Sequence, residues 1–198
     1  PLRKTVLEGD ALACATHIQR GTRHMAVMVG DLLELVRSRL GKSLPIEPTP
    51  IDLAEVAHAA IAEACAGNPA CDPTLEIHGD TRGVWDAGRL AQLLQNLIGN
   101  ALQHGSNKRD VMVTLKGEPQ AVRLTVHNFG APIPEDAMAT IFDPLVRSTD
   151  EEPGQPSTSL GLGLFIVKEV VNAHKGTIEV TSSEEDGTLF TVVLPRKV

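Results

Sequence analysis

Aromatic residues are scarce in this 198-residue chain, which has no tyrosine, one tryptophan and four phenylalanines. The core must therefore be built from Leu, Val, Ile and Ala, and the 42% hydrophobic content supplies them. A net charge of −7 argues against a partner such as duplex nucleic acid, which requires a basic face. No apolar run has the length of a bilayer span, and no signal-like segment opens the chain.

Cysteine is also rare. Cys14, Cys65 and Cys71 are an odd count without a CxxC pair. This pattern is typical of reduced thiols and argues against a disulfide framework or a zinc site. We therefore expect a cytoplasmic protein whose thiols are free.

Residues 11–40 have the pattern of one long helix, after a turn at residues 8–10. Between residues 11 and 40, apolar residues recur at three- and four-residue steps, and Gly41 ends the pattern. The apolar stripe is broad enough to need a partner helix, which favours a dimeric bundle. We expect residues 1–43 to be part of a helical hairpin.

A proline-rich stretch separates this arm from the rest of the chain. Three prolines in residues 44–51 exclude a helix and predict an extended linker, with one edge strand at most. Asp52, followed by Glu55, then forms a capping-box pattern that predicts the start of a helix. We therefore place the linker at 44–51 and a second domain at 52–198.

The second domain alternates between strand and helix patterns. Strands are predicted at 74–79, 111–115, 121–127, 177–182 and 188–194, and helices at 86–104, 160–174 and about 135–141. Residues 145–159 are polar and aperiodic, which predicts a mobile loop. The fold class is therefore α+β, a two-layer α/β sandwich of one mixed sheet and one helical layer, with an N-terminal helical arm.

A polar stripe lies along the predicted helix 86–104. It consists of residues spaced four apart, namely Gln92, Asn96, Asn100 and His104. Residues at this spacing share one helix face. Amide oxygens can hold a hard cation such as Mg²⁺ without adding negative charge beside a triphosphate. The alternative is an ordinary solvated face.

Two further segments have the composition of a ligand site. Asn128, at the end of a predicted strand, offers an acceptor for an exocyclic amine such as that of adenine, and Gly130 permits close approach of a flat ligand. Residues 159–164 open a helix with glycines, and the free N–H groups of such a helix start suit phosphate. Taken alone, the first segment is also consistent with a simple turn and the second with a hinge.

In this order, the segments resemble the ATP-binding catalytic domain of bacterial sensor histidine kinases, which has the Bergerat (GHKL) fold. Residues 96–104 are similar to the family's N box, and residues 128–133 to a variant G1 box. Residues 142–144 are similar to the F box, and residues 161–164 to the G2 box. The strand that begins near Thr188 matches the usual final strand.

The resemblance implies a site for ATP and Mg²⁺. Asn100 would coordinate the metal, Asn96 would face the phosphates, and His104 would lie at the mouth of the pocket. Asn128 would take the place of the family's adenine-reading Asp, and Thr188 would support a water near the base. The other implied ATP-binding residues are Gly130, Ile133, Phe142, Gly161, Leu162, Gly163 and Leu164. The glycines would let the loop at 145–159 close over the triphosphate.

Three departures from the family pattern change the expected chemistry. Asn128 lacks the charge of an Asp, so we expect weaker nucleotide binding rather than none. Gln103 replaces a basic residue of the N box, and Arg147 or Lys168 would have to supply that cation. Gln92 cannot act as the general base that an ATPase would have, which favours phosphotransfer over hydrolysis.

No histidine here has the family's phosphoacceptor context, although His17 and His24 lie on the predicted arm. We therefore expect a protein histidine kinase fragment that transfers the ATP γ-phosphoryl group to a histidine on a helix outside this chain, in the same or a partner protomer. The phosphate would pass to an aspartate of a response-regulator receiver domain. We also expect a homodimer formed through the N-terminal helices. The alternatives are a non-catalytic nucleotide-sensing or interaction module and an anti-sigma-type serine kinase.

Overall fold

The computed structural model describes residues 21–22, 25–26, 28–66, 71–106, 110–146 and 160–197. The chain forms two compact units, Pro1–Gly41 and Lys42–Val198. In the first unit, the described residues between 21 and 39 are helical, and we name the continuous stretch 28–39 helix α1. Cys14, His17 and His24 lie outside the described residues.

The apolar stripe of α1 is exposed to solvent. Its large exposed side chains are Val29, Leu32, Leu33 and Val36, with Met25 before them and Leu40 after them. This exposure is the pattern of a helix that packs against a partner. Among the helices that the structure describes, none combines the length and apolar character needed to cross a bilayer.

The second unit contains seven strands and four helices among its described residues. In chain order they are β1 (Thr49–Asp52), α2 (Leu53–Ala64), β2 (Thr74–His78), β3 (Arg82–Trp85), α3 (Ala87–His104), β4 (Met112–Gly117), β5 (Ala121–Asn128), α4 (Glu135–Met138), α5 (Gly163–Ala173), β6 (Thr177–Ser183) and β7 (Gly187–Pro195). The five-stranded sheet has the order β2-β4-β5-β7-β6. It is mixed, because β2 is parallel to β4 and the other pairs are antiparallel.

The core lies between one face of this sheet and the helices. Every second residue of β5, namely Val122, Leu124 and Val126, is fully buried. Helix α3 buries Leu93, Leu94, Leu97 and Ile98, whereas Leu102 is half-buried. The α+β prediction of a mixed sheet under one helical layer is confirmed.

A second, two-stranded sheet pairs β1 with β3. Its strand β3 was not predicted, and β1 occupies the end of the stretch interpreted as a linker. Long-range contacts support it, because Trp85 Nε1 donates to the Pro195 carbonyl oxygen over 2.6 Å. Arg196 donates through Nη2 to Asp80 O over 2.6 Å, and through Nη1 to Arg82 O.

The expectation of three free thiols is wrong for two of them. Cys65 and Cys71 form a disulfide with Cα atoms 5.3 Å apart. Cys65 is the C-cap of α2 and Cys71 shortly precedes β2, so the fold returns the chain to nearly the same point within six residues. Neither the spacing of the cysteines nor the expected cytoplasmic location could reveal this pairing, because it depends on where α2 ends.

Candidate functional site

Helix α3 forms the bottom of the candidate site. Asp86 caps its N-terminus, where the Asp86 carboxylate accepts hydrogen bonds from the backbone N–H groups of Arg89 and Glu47 over 3.0 and 2.9 Å. Burial raises the pKa of Asp86, but these N–H donors outweigh it and hold the pKa below its ordinary value. The predicted stripe follows the border of the core, with Gln92, Asn96 and Asn100 half-buried and His104 exposed.

The end of α3 is joined to the end of β5. The Ser106 backbone N–H donates to Phe129 O over 2.7 Å, and Gly105 forms an isolated bridge with Gly130. A Cβ atom on Gly130 would collide with the carbonyl oxygen of His104. Only glycine therefore permits this approach, and it brings the predicted N-box and G1-box segments together.

A series of linked hydrogen bonds lies next to Asn128. Asn128 and Thr188 are register partners on β5 and β7, and both are almost fully buried. The Thr188 hydroxyl lies 2.7 Å from Ser182 Oγ, and Ser182 Oγ accepts the Ile133 N–H over 3.0 Å. The loop after β5 is therefore anchored to β6 beside the predicted base-binding residues.

Sequence reasoning missed Ser182. It lies between Thr181 and Ser183 in a polar run, and only the pairing of Ser182 with Thr188 distinguishes it. The one usable signal was the alternation of side chains between the two faces of a strand, because a strand partner of Thr188 lies on the same face as Thr188. Thr188 was already predicted for the site.

The start of α5 faces the polar stripe of α3. An ideal Cβ on Gly163 would lie 3.1 Å from Asn96 Oδ1, so the two backbones approach closely here. Among the described residues, no side chain caps α5, which leaves the N–H groups of its first turn available to a ligand. Leu162 just before it is buried, Leu164 is half-buried, and Gly161 has a left-handed backbone with φ of 67°.

The ends of the predicted mobile loop meet. The Leu145 N–H donates to Gly161 O over 3.0 Å, and both residues have positive φ. Nearby, Phe142 packs edge-on to Phe190 with ring centroids 6.4 Å apart, and Lys168 Nζ lies 5.9 Å from the Phe142 centroid. Residues 147–159, including Arg147, lie outside the described residues.

The chemistry of the donors is that of neutral amides and hydroxyls. In the described ranges, no group of three or more His, Cys, Asp or Glu side chains could hold a metal ion. Asn100, one turn after Asn96 on the same stripe, offers an uncharged oxygen of the kind that Mg²⁺ accepts. A divalent ion here would therefore need further oxygens from a phosphate or from water.

A separate cavity of about 560 Å³ lies at the solvent-facing side of the sheet. It is lined by His127, Phe129 and Leu189, by the end of β6 including Ser182, and by the turn between β6 and β7. Strand alternation turns His127 and Leu189 away from the face that carries Asn128 and Thr188. The cavity therefore opens on the opposite face of the sheet from Asn128 and Thr188, and Ser182 borders both the cavity and the predicted site.

Comparisons with known proteins identify the fold. A family model described as "Histidine kinase-, DNA gyrase B-, and HSP90-like ATPase" matches residues 85–198. The protein named Probable sensor histidine kinase TcrY, from Mycobacterium tuberculosis, is 35% identical over 188 residues, which cover 94% of this chain and 39% of that protein. The chain spans less than half the length of the first curated relatives that it matches.

Solved structures give the same result. The mycobacterial sensor histidine kinase MprB is 25% identical with a TM-score of 0.65, over 76% of this chain and 99% of that one. Full-length ShkA in complex with AMPPNP is 26% identical with a TM-score of 0.63, over 85% of this chain and 36% of that one. Because the family model matches more than half of the chain, the chain belongs to the histidine kinase-, DNA gyrase B- and HSP90-like ATPases, in the form found in sensor histidine kinases.

Proposed function

We propose that this chain is the ATP-binding catalytic part of a sensor histidine kinase. It transfers the γ-phosphoryl group of ATP to a histidine on a helix outside this chain, and the phosphate then passes to an aspartate of a response regulator. The observation that carries the proposal is the approach of Gly163 to Asn96. It brings an uncapped helix N-terminus to a stripe of neutral amides, which is an arrangement suited to a triphosphate.

The phosphates bind between α5 and α3. The first N–H groups of α5 carry the positive end of the helix dipole and donate to phosphate oxygens, and the Asn96 amide donates from the other side. Lys168, exposed on α5, supplies a cation by turning from the Phe142 ring toward the phosphates. This cation replaces the one that Gln103 cannot provide.

Asn100 would hold Mg²⁺ through its amide oxygen. When bound, the metal neutralises charge on the triphosphate during phosphoryl transfer. The residue's own role is to fix the triphosphate in register with the stripe, because it extends from the same helix face as Asn96.

The base binds at the end of β5. Asn128 accepts a hydrogen bond from its amine edge, Thr188 supports a bridging water, and Gly130 lets the backbone approach the ring. His104 stands exposed at the mouth of the pocket. The remaining wall is formed by Ile133, Phe142, Leu162 and Leu164. Gly161, whose φ is 67°, turns the backbone just before α5.

Gln92 favours transfer to an imidazole over hydrolysis. Its amide oxygen accepts a hydrogen bond from Arg89 Nη1 over 3.0 Å, and an amide cannot take a proton from water. The acceptor imidazole is itself the nucleophile, so the P–O bond to ADP breaks as the P–N bond forms. Catalysis then rests on positioning and charge neutralisation.

The exposed stripe of α1 supports the proposed homodimer. Val29, Leu33 and Val36 present apolar surface on one helix, which a second copy of the helix would cover. The acceptor histidine then belongs to the same or the partner protomer. A cytoplasmic location is part of the proposal, because ATP and response regulators are found there.

The proposal is tested by supplying the missing acceptor. The chain is mixed with a separate helical hairpin that carries a phosphoacceptor histidine, labelled ATP and Mg²⁺. We expect an acid-labile, base-stable phosphate on the hairpin. Its absence despite measurable Mg-ATP binding would instead favour a nucleotide-sensing module, and label on a serine would favour a serine kinase.

Asn100→Ala tests whether Asn100 holds Mg²⁺, with Mg-ATP binding measured by calorimetry. We expect loss of Mg-dependent ATP binding with the fold intact. Asn172→Ala is the matched control, because Asn172 is an exposed asparagine on α5. Calorimetry that gives both variants the wild-type affinity would contradict the role of Asn100.

A further inference from the structure

The Asn128 carboxamide is not held in one orientation. Asn128 is 5% exposed and Thr188 6% exposed, and as register partners they lie on the same face of the sheet. Within the part of the chain that the structure describes, no hydrogen bond holds the Asn128 side chain. The carboxamide oxygen and nitrogen can therefore exchange places by a half-turn about the last side-chain bond.

The neighbouring hydroxyl can also reverse its role. Thr188 Oγ1 and Ser182 Oγ lie 2.7 Å apart, and either atom can donate to the other. Ser182 Oγ already accepts the Ile133 N–H, and it keeps a second lone pair and its own proton. When Ser182 donates, the Thr188 proton is free to donate to a ligand or water. When Thr188 donates, its lone pairs accept instead.

Purine bases differ in the polarity of the edge that such groups read. A 6-aminopurine such as adenine offers an amine donor and the N1 acceptor, whereas a 6-oxopurine offers the O6 acceptor and an N1–H donor. A carboxylate only accepts, so it suits the amine and repels O6. A carboxamide matches either edge after a half-turn, and the Thr188–Ser182 pair can adjust with it.

We propose that this site binds 6-oxopurine nucleoside triphosphates, the class that includes GTP and ITP, about as well as ATP. Asn128 is the specificity-determining residue, and the Thr188–Ser182 pair allows both base edges. The proposal rests on the proposed function, because Asn128 reads a base only if the site holds a nucleotide. It extends that function from one phosphoryl donor to two chemical classes of donor.

The test compares Mg-ATP with Mg-ITP by calorimetry, because ITP differs from ATP only at the edge in question. We expect the two dissociation constants of the wild-type chain to agree within about tenfold, which corresponds to less than one unsatisfied hydrogen bond. In Asn128→Asp, the ratio of the ITP constant to the ATP constant should rise at least about tenfold. Asn172→Ala should leave the ratio unchanged.

The outcomes separate the two proposals. If the wild-type chain binds ATP but binds ITP more than about a hundredfold more weakly, the inference is overturned and the proposed function stands. If neither nucleotide binds, the proposed function fails and the inference with it. The wild-type comparison needs no variant, so it remains decisive even if a carboxylate at the buried position 128 prevents folding.

Discussion

The backbone N–H of Asp86 donates to Nε2 of His174 over 3.1 Å, which joins the first residue before α3 to the last turn of α5. His174 is fully buried, and its Nδ1 lies 2.8 Å from Val170 O, an atom that can only accept. The proton is therefore on Nδ1, and the neutral imidazole has both nitrogens satisfied. The opposite parts of the same two helices carry the proposed nucleotide site, so this contact supports their relative position.

Acid should weaken this contact. Burial lowers the pKa of His174 below its ordinary value of 6.5, although the hydrogen bond to Val170 O and the charge of Asp86 raise it. Because the unfolded chain takes up a proton at a higher pH than the folded chain, stability is full above about pH 6.5 and falls as the pH decreases below it. Melting temperatures between pH 8 and pH 5 should show this decline.

His174→Gln should remove the pH dependence in that window, whatever its effect on the melting temperature at pH 8. His58→Gln is the control, because His58 is exposed on α2. An equal slope of melting temperature against pH in both variants and the wild type would show that another group is responsible.

Gly163→Ala should weaken nucleotide binding without unfolding the protein. The added methyl group would lie 3.1 Å from Asn96 Oδ1 and would displace the amide that we place against the phosphates. We expect about a tenfold loss of Mg-ATP affinity by calorimetry, the value of one hydrogen bond to a charged group. Gly99→Ala on α3 is the control, because its new Cβ would meet no atom within 4 Å. Equal affinities in the two variants would contradict the placement.

Ser182→Ala should disturb the part of the site where we propose that the purine base binds. The substitution removes the acceptor of the Ile133 N–H and the partner of the Thr188 hydroxyl. We expect ATP affinity to fall about fivefold, a typical loss for one neutral hydrogen bond. Ser183→Ala changes the next residue of β6, whose hydroxyl instead bonds Asp186, and it should bind ATP normally. Ser182→Thr retains a hydroxyl and should recover part of the loss.

Arg196→Ala should lower stability rather than binding. The guanidinium donates to the carbonyl oxygens of Glu118, Asp80 and Arg82, and so it joins the small sheet to the large one. We expect unfolding in urea to show a loss of about 2 kcal/mol. Arg196→Lys should recover little, because a lysine cannot reach three acceptors with a planar group. Lys197→Ala, at an exposed neighbour, should unfold like the wild type.

Local signals in the sequence were sufficient for most of the fold. The apolar period of residues 86–104 predicted α3 to within one residue. The four-residue spacing that linked Asn96 to Asn100 needed only helix geometry. The end of β5 at Asn128 followed from alternation and the glycine two residues later.

Features that depend on distant partners could not be read in this way. Strand β3 has only four residues and is supported by Pro195 and Arg196, more than a hundred positions away. Ser182 gains its role from the register of β6 against β7. The Cys65–Cys71 bond depends on the exact end of α2, which a periodic pattern predicts only approximately.

The hydrogen bond between Leu145 and Gly161 has a consequence for the evolution of the chain. Since the two anchor residues are already adjacent, the length of the intervening segment 146–160 can change without moving either one. Loop closure depends weakly on length, at about 0.6 kcal/mol for each doubling. Insertions or deletions between the two anchor residues therefore cost little stability and leave Leu145 and Gly161 in place.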